Sequence, residues 1–235
     1  MGRVADDFMH EYEGVTYKCF VINDSSHEGP FISVAPCDVK KGIKTMEIPY
    51  HVDGIPVLNV VSAGTGDKLW KHDIKKIIIN NNIEFLGDYV FRGFRNLKEV
   101  EFEENSSLKS IGEYAFFDCR AIKKIELPDS VCDLKTNIFK DCSSLESLHF
   151  GKNVKSYSSA AYYRDQDCTS MKSLTVSPGN PYIYSKENCI IDRDGNRILC
   201  GCCGSVIPDD KAISVIFDRA FEGVTFDNYP EIPER

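Results

Sequence analysis

From Lys75 onward the chain repeats itself. Laid one beneath another, KKIIINNNIEFLGDYVFRGFRNL, KEVEFEENSSLKSIGEYAFFDCRAI, KKIELPDSVCDLKTNIFKDCSSL and ESLHFGKNVKSYSSAAYYRDQDCTSM are one pattern used four times. An apolar pair recurs as Ile77 and Ile79, Val100 and Phe102, Ile125 and Leu127, Leu148 and Phe150, then Leu174 and Val176, with steps of 23, 25, 23 and 26 residues. Three further columns run Leu86, Ile111, Leu134, Tyr157; Phe91, Phe116, Phe139, Tyr163; and Leu97, Ile122, Leu145, Met171. One copy cannot cover its own apolar face. Stacked copies can, because their columns then merge into a continuous core.

In an extended stretch alternate side chains face opposite ways, so Val100 and Phe102 are expected inside while Glu99, Glu101 and Glu103 point out. A period in the twenties together with Leu97-x-x-Val100-x-Phe102 is the pattern of a leucine-rich repeat. The fold class predicted is α/β: a right-handed leucine-rich-repeat solenoid with parallel strands. Short outer helical turns are expected at segments such as Asp88-Tyr89-Val90-Phe91 and Glu113-Tyr114-Ala115-Phe116. The curved sheet would present Ile78, Glu101, Glu126, His149 and Thr175 as a central outward column on its concave side. Lys76, Glu99, Lys124, Ser147 and Ser173 would run beside it. From these columns the candidate ligand-binding residues are Glu99, Glu101, Lys124, Glu126, Ser147, His149 and Thr175, a face suited to a basic or hydroxyl-bearing partner.

The third copy reads Ile125-Glu126-Leu127-Pro128-Asp129-Ser130-Val131, then Leu134, Phe139, Cys142 and Leu145, and the second supplies Ile111-Gly112, Ala115-Phe116 and Cys119. These residues resemble the BspA-type leucine-rich repeats. The similarity extends to Ile48-Pro49 with Gly54-Ile55-Pro56-Val57, which looks like the family's opening coil. It also takes in the segment from Val176-Ser177-Pro178-Gly179 to Asp194-Gly195, which looks like the family's hairpin insertion, and Ala220-Phe221-Glu222-Gly223, where the pattern restarts. The departures are Phe94 in place of a cysteine, the Tyr-rich stretch from Tyr157 to Tyr163, and Val60 to Trp70, which lacks the Ala-Phe pair. The resemblance implies adhesion or ligand binding through a repeat surface, usually in cell-surface or secreted proteins, and names no ligand.

Four segments follow: an N-terminal β cap at 1–45, repeat coils at 46–176, a β-hairpin insertion at 177–208, and a partial last coil with a C-terminal tail at 209–235. The tail, with Phe226, Tyr229, Pro230, Ile232 and Pro233, is expected to fold back over the last coil. An uncovered edge there would be open to self-association.

The chain carries 36 acidic and 28 basic residues, a net charge of -8, without a basic stripe. A nucleic-acid partner is therefore not expected. Neither is membrane insertion, since no stretch approaches the roughly 20 apolar residues that span a bilayer. Met1 to His10 shows no export signal, so a cytoplasmic location is expected if Met1 is the native start; a cell-surface or secreted location is the alternative if a signal peptide has been removed.

Of ten cysteines, Cys119, Cys142 and Cys168 occupy one repeat column and read as a buried, reduced packing ladder. Cys189, Cys200, Cys202 and Cys203 could be a reduced hairpin arm, a disulfide or a zinc site, although C-x-C-C lacks the usual zinc-knuckle bite. Thiol labelling is expected to reach Cys202 or Cys203 first. The five histidines are scattered, and only His149 falls on the outward face. No catalytic motif and no cofactor site is present in the pattern. The expectation is a non-enzymatic module that binds a protein partner, with a structural or assembly domain of a longer surface protein as the alternative.

Overall fold

The computed structural model describes residues 3–4, 7–64, 69, 72–155, 170–209, 213, 215–216 and 220. The N-terminal part is antiparallel: β1 (Arg3–Val4) and β2 (Phe8–Tyr12) both pair with β3 (Val15–Asn23), which pairs with β4 (Phe31–Val39). On β3 every second residue from Val15 to Cys19 is buried, the signature of a strand with one face on a core. On β4 both faces are buried from Phe31 to Pro36, and its two edges are paired with β3 and with the first parallel strand.

The chain then winds as a parallel-strand solenoid of about five turns. The opening turn contributes β5 (Thr45–Glu47), a small hairpin strand β6 (His51–Val52) and β7 (Ile55–Val60). Each later turn has a front strand and a two-residue back strand. Those pairs are β8 (Lys76–Ile79) with β9 (Phe85–Leu86), β10 (Glu99–Phe102) with β11 (Ser110–Ile111), and β12 (Lys124–Glu126) with β13 (Asp133–Leu134). Two more front strands follow, β14 (Ser147–Phe150) and β15 (Ser173–Val176). The back row is continuous with the N-terminal sheet, in the order β4, β7, β9, β11, β13, all parallel. The cap is therefore hydrogen-bonded into the solenoid, and Tyr17 Oη donates to the Glu47 carbonyl at 2.6 Å to tie it to the front row as well.

The front row is broken. β5, β8 and β10 form one parallel ladder and β12, β14 and β15 another. Among the described residues no backbone hydrogen bond joins β10 to β12, although the matching back strands β11 and β13 remain paired. The second copy is two residues longer than its neighbours, with a step of six from Phe102 to Leu108 against steps of four from Ile79 to Ile83 and from Leu127 to Val131. The extra length loops out just after β10. Val100 and Phe102 are consequently half-buried, whereas Ile77, Ile79, Leu148 and Phe150 at the same places are fully buried.

The outer segments are turns, which corrects the expectation of helical turns and of an α/β class: the described residues contain strands and turns and no α-helix. Within each segment the backbone twice enters the left-handed region, at Tyr89 and Gly93, Tyr114 and Asp118, and Asn137 and Asp141, with φ between 54° and 79°. A right-handed helix cannot contain such residues. Alternate amides instead bond across the stack: Tyr89, Phe91 and Gly93 donate to the carbonyls of Glu113, Ala115 and Phe117, and Tyr114, Phe116 and Asp118 donate to those of Thr136, Ile138 and Lys140. The amides between them close i to i+3 turns, such as Arg92 to Tyr89 and Phe117 to Tyr114. The outer wall is thus a ladder of turns held by its neighbours.

Side chains follow the same columns. Phe91, Phe116 and Phe139 stack with ring centroids 5.3 and 5.6 Å apart, and Leu97, Ile122, Leu145 and Met171 are buried behind them. Cys119 and Cys142 are fully buried, each donating its thiol at 3.2 Å to a carbonyl one turn back, Phe91 and Phe116 respectively. Phe94, which stands where that column would have a cysteine, fills the space with its ring, 6.0 Å from that of Phe91. Cys168, Tyr157 and Tyr163 lie outside the described residues.

After β15 the chain leaves the stack as an antiparallel sheet of three strands, β16 (Ile183–Lys186), β17 (Cys189–Asp192) and β18 (Arg197–Cys200). β19 (Val215–Ile216) then pairs with β18 in parallel. Asn180 anchors the departure: its side-chain amide donates to the carbonyls of Gly151 and Val154, and its oxygen accepts the amides of Tyr182 and Ile183. The proposed capping tail, from Thr225 to Arg235, falls outside the described residues.

Candidate functional site

The front strands put the outward residues in register. Glu99 lies beside Lys76 and Glu101 beside Ile78; across the second ladder Lys124 aligns with Ser147 and Ser173, and Glu126 with His149 and Thr175. Glu99, Glu101, Lys124, Glu126 and Thr175 are exposed, while Ser147 and His149 are half-buried. Thr45 and Glu47 extend the two columns by one strand, since β5 pairs with β8 in the same register. Met46 and Ile48 carry the same buried apolar pair there, but the columns read from the sequence begin only at Lys75.

The charges on this face are not free. Lys76 Nζ reaches Glu99 at 2.8 Å and Glu101 at 2.6 Å, and Lys124 Nζ reaches Glu126 at 2.6 Å. Those two carboxylates raise the Lys76 pKa above its usual value, Glu101 contributing most. Between solvent-exposed groups such pairs contribute little to stability and remain available for exchange with a partner's charges.

His149 holds the other end of the face together. Its Nδ1 lies 2.8 Å from Thr175 Oγ1 and its Nε2 3.0 Å from Ser177 Oγ, which itself donates to Asp129 Oδ1 at 3.1 Å. Asp129 also accepts the Lys152 amide at 2.9 Å and pairs with Lys152 Nζ at 2.9 Å. The Lys152 ammonium, helped by that amide and Ser177, holds the Asp129 carboxyl below the usual carboxylate range. An ionised carboxylate only accepts, so the Ser177 proton is committed to Asp129 and His149 Nε2 must be the donor to Ser177. A serine nucleophile needs the reverse, an imidazole waiting to take the hydroxyl proton. The network therefore acts as a brace between successive turns. Asp129 and Ser177 were not candidates from sequence; one sits in a turn and the other just after β15, 48 residues apart, and only the winding brings them together.

Glu103, read as one more outward acid, turns instead toward the preceding strands, where it accepts the Asn81 amide at 3.2 Å and the Tyr50 hydroxyl. The space left by the broken ladder forms a cleft of about 700 Å³ whose walls include Glu101, Glu126, Val100 and Phe102.

Among the described residues no grouping of three or more His, Cys, Asp or Glu side chains could hold a metal ion. Cys189, Cys200 and Cys202 are fully buried and free, and Cys203 is partly exposed. Burial pushes the Cys189 thiol up to about 11 and raises Cys200 and Cys202 as well. Early labelling of Cys202 is thus corrected by its position beneath the Ser205 hydroxyl, 3.7 Å from its sulfur. No helix among the described residues is long and apolar enough to cross a membrane.

Six copies of the BspA-type leucine-rich repeat region match residues 69–189, just over half of the chain. The chain belongs to this family. A leucine-rich cell surface protein from Faecalibacterium prausnitzii has a similar structure, with a TM-score of 0.59 at 17% identity over 97% of this BspA-type chain. The match spans only 57% of that protein. Leucine-rich repeat proteins from T. pallidum and Bacteroides capillosus each give a TM-score of 0.46 at 20% identity, covering 68% and 60% of this chain and 78% and 96% of their own. No curated protein matches the sequence. At these identities the structural likeness speaks for the fold.

Proposed function

We propose that this BspA-type protein is a non-enzymatic binding module that meets a protein partner with its front strand face, as in adhesion or recognition at a cell surface. The observation that carries the reading is the register within each of the two front ladders, which sets Glu99 and Glu101 in the first, and Lys124, Glu126, Ser147, His149 and Thr175 in the second, on the outward face. Rows of polar side chains on a scaffold of stacked turns give a broad surface that one bound segment can follow. The commitment of the Ser177 proton to Asp129 favours binding over hydrolytic chemistry on the same face. A location on the cell surface fits the description of the Faecalibacterium neighbour, and a structural role within a longer surface protein is the second reading, favoured by the fraction of that neighbour that this chain spans.

The test is a double charge reversal, Glu101→Lys with Glu126→Lys, in the intact chain. Both residues are exposed, so the fold is retained. The substitutions place two new ammonium groups beside Lys76 and Lys124, and the affinity for a partner captured from native material should drop about tenfold or more, about 1.4 kcal/mol per decade. Unchanged affinity with a correctly folded variant refutes binding through this face.

A further inference from the structure

The break in the front row is a built feature. In the intact parts of the row the first amide of each strand bonds back to the strand before it, Glu99 to the Lys75 carbonyl and Ser147 to the Lys123 carbonyl. The equivalent pair across the break is the Lys124 amide and the Lys98 carbonyl, and no bond joins them. Facing edges of two strands are left with unpaired backbone groups, on a floor of half-buried Val100 and Phe102. Ser130 Oγ, on the same cleft, is shielded from solvent and has no hydrogen-bond partner among the described residues. Backbone groups in this state hold a standing preference for a ligand that can bond to them.

The width of the break decides what can enter. Paired strands lie about 4.8 Å apart, so an intercalated strand would need roughly 9.5 Å between β10 and β12. Their Cα atoms come within 8 Å of one another. That approach leaves no space for a third strand, and the cleft beside it has the volume to take a side chain. Its walls set the charge of that side chain. With Glu103 turned away, Glu99, Glu101, Glu104, Glu126 and Asp129 share the cleft walls with two lysines, Lys98 and Lys124. Lys76 and Lys152 compensate part of that excess from outside it, and one negative charge remains.

The geometry points to a binding site for arginine side chains of a basic, extended partner segment, each inserted between β10 and β12. The guanidinium presents a planar fork of donors to the free carbonyls of Lys98 and Val100 and to the Glu101 and Glu126 carboxylates, while its methylene stem lies on Val100 and Phe102. Glu101 exchanges its pairing with Lys76 for the incoming cation. This inference rests on the front-face reading and narrows it to one cleft and one partner chemistry.

The experiment uses the full chain and three fluorescent pentapeptides, in which valine alternates with arginine, with citrulline as the uncharged shape match, or with glutamate. Binding is read by anisotropy and by backbone amide shifts in the labelled protein. The arginine peptide should bind and shift the amides of 98–104 and 124–128, the citrulline peptide should bind at least tenfold more weakly, and the glutamate peptide should not bind. Two variants locate the site. Deleting Glu104 and Asn105 restores the 23-residue step and should let the ladder close, abolishing arginine binding. Glu101→Gln with Glu126→Gln, which leaves the loop length intact, should weaken it at least tenfold. Absence of arginine binding, equal binding of all three peptides, shifts confined to other residues, or a folded deletion variant that binds as before would each overturn the inference. A natural partner that perturbs only the Ser147, His149 and Thr175 end would overturn it while leaving the front-face reading intact.

Discussion

Gly87 and Gly112 occupy the same place in successive turns, yet the stack presses on them unequally. A Cβ built on Gly87 would meet Val61 Cα at 3.2 Å and the Val60 carbonyl at 3.3 Å, contacts that a shift of a few tenths of an ångström relieves. On Gly112 it would lie 2.5 Å from Asp88 Oδ1 and 2.6 Å from both the Asp88 amide nitrogen and the Gly87 carbonyl carbon. Two of those atoms are backbone, and Asp88 cannot swing away without losing the Glu113 amide that it accepts at 2.7 Å. Alanine also restricts the unfolded chain, which favours folding by about 0.4–1 kcal/mol wherever the native backbone tolerates it. For Gly87→Ala the two effects nearly cancel, and stability should stay within about 0.5 kcal/mol of the parent. For Gly112→Ala, overpacking of up to about 3 kcal/mol dominates and a net loss of about 2 kcal/mol remains. In a chain of this size that corresponds to a fall in Tm of about 4–8 °C. Thermal unfolding followed by far-ultraviolet circular dichroism, with urea midpoints at 25 °C, measures both variants. Equal stabilities for the two would refute the account of inter-turn crowding at Gly112.

Two further outcomes follow from the cysteines and from the insertion sheet. Under native conditions a thiol reagent should modify Cys203, Cys37 and Cys132, all partly exposed, well before Cys119, Cys142 and Cys200, which are buried; mass spectrometry of early time points checks the order, and early modification of Cys119 would contradict its place in the core. Burial alone would raise the Asp192 carboxyl, but the Arg197 side chain at 2.6 and 2.7 Å and the amides of Gly195 and Arg197 outweigh it and hold the group below its usual range. Its folded value lies below the unfolded one of about 3.9, so its contribution is present above that pH and lost as pH falls through the folded value. Asp192→Asn should therefore cost about 1–2 kcal/mol at pH 7 and progressively less below pH 4, and a cost independent of pH would refute the assignment.

Most of the architecture was legible because the apolar columns have to be inward, and Leu97, Ile122, Leu145 and Met171 or Phe91, Phe116 and Phe139 can share a core only if the turns stack in register. The outer turns were misread for an equally physical reason. Asp88-Tyr89-Val90-Phe91 is compatible with a helix by composition, and what excludes one is the left-handed backbone at Tyr89 and Gly93, stabilised by bonds to the next turn that no local pattern reveals. The outward columns were readable from alternation alone. Their interactions were not, since His149 is braced through Asp129 and Ser177, and Glu103 turns away to Asn81 and Tyr50. The step of 25 residues announced extra length in the second copy. Only the structure shows that the front ladder opens to absorb it while the back ladder keeps its register.

The outer turns carry a direction. Tyr89, Phe91, Gly93, Tyr114, Phe116 and Asp118 all donate forward, to the turn that follows, whereas the amides that flank the strands at Lys98, Lys109, Gly112, Lys135 and Glu146 donate backward. Each turn therefore lends some of its protection to the one before it and some to the one after. When the stack frays from its C-terminal side, the first amides of the remaining body to meet water include those of the outer wall, beside forward-donating front-row amides such as Leu127. When it frays from the cap, they belong to the strands. Hydrogen exchange resolved to single amides would thus record from which end the molecule opens, as a difference between two faces of the same coil.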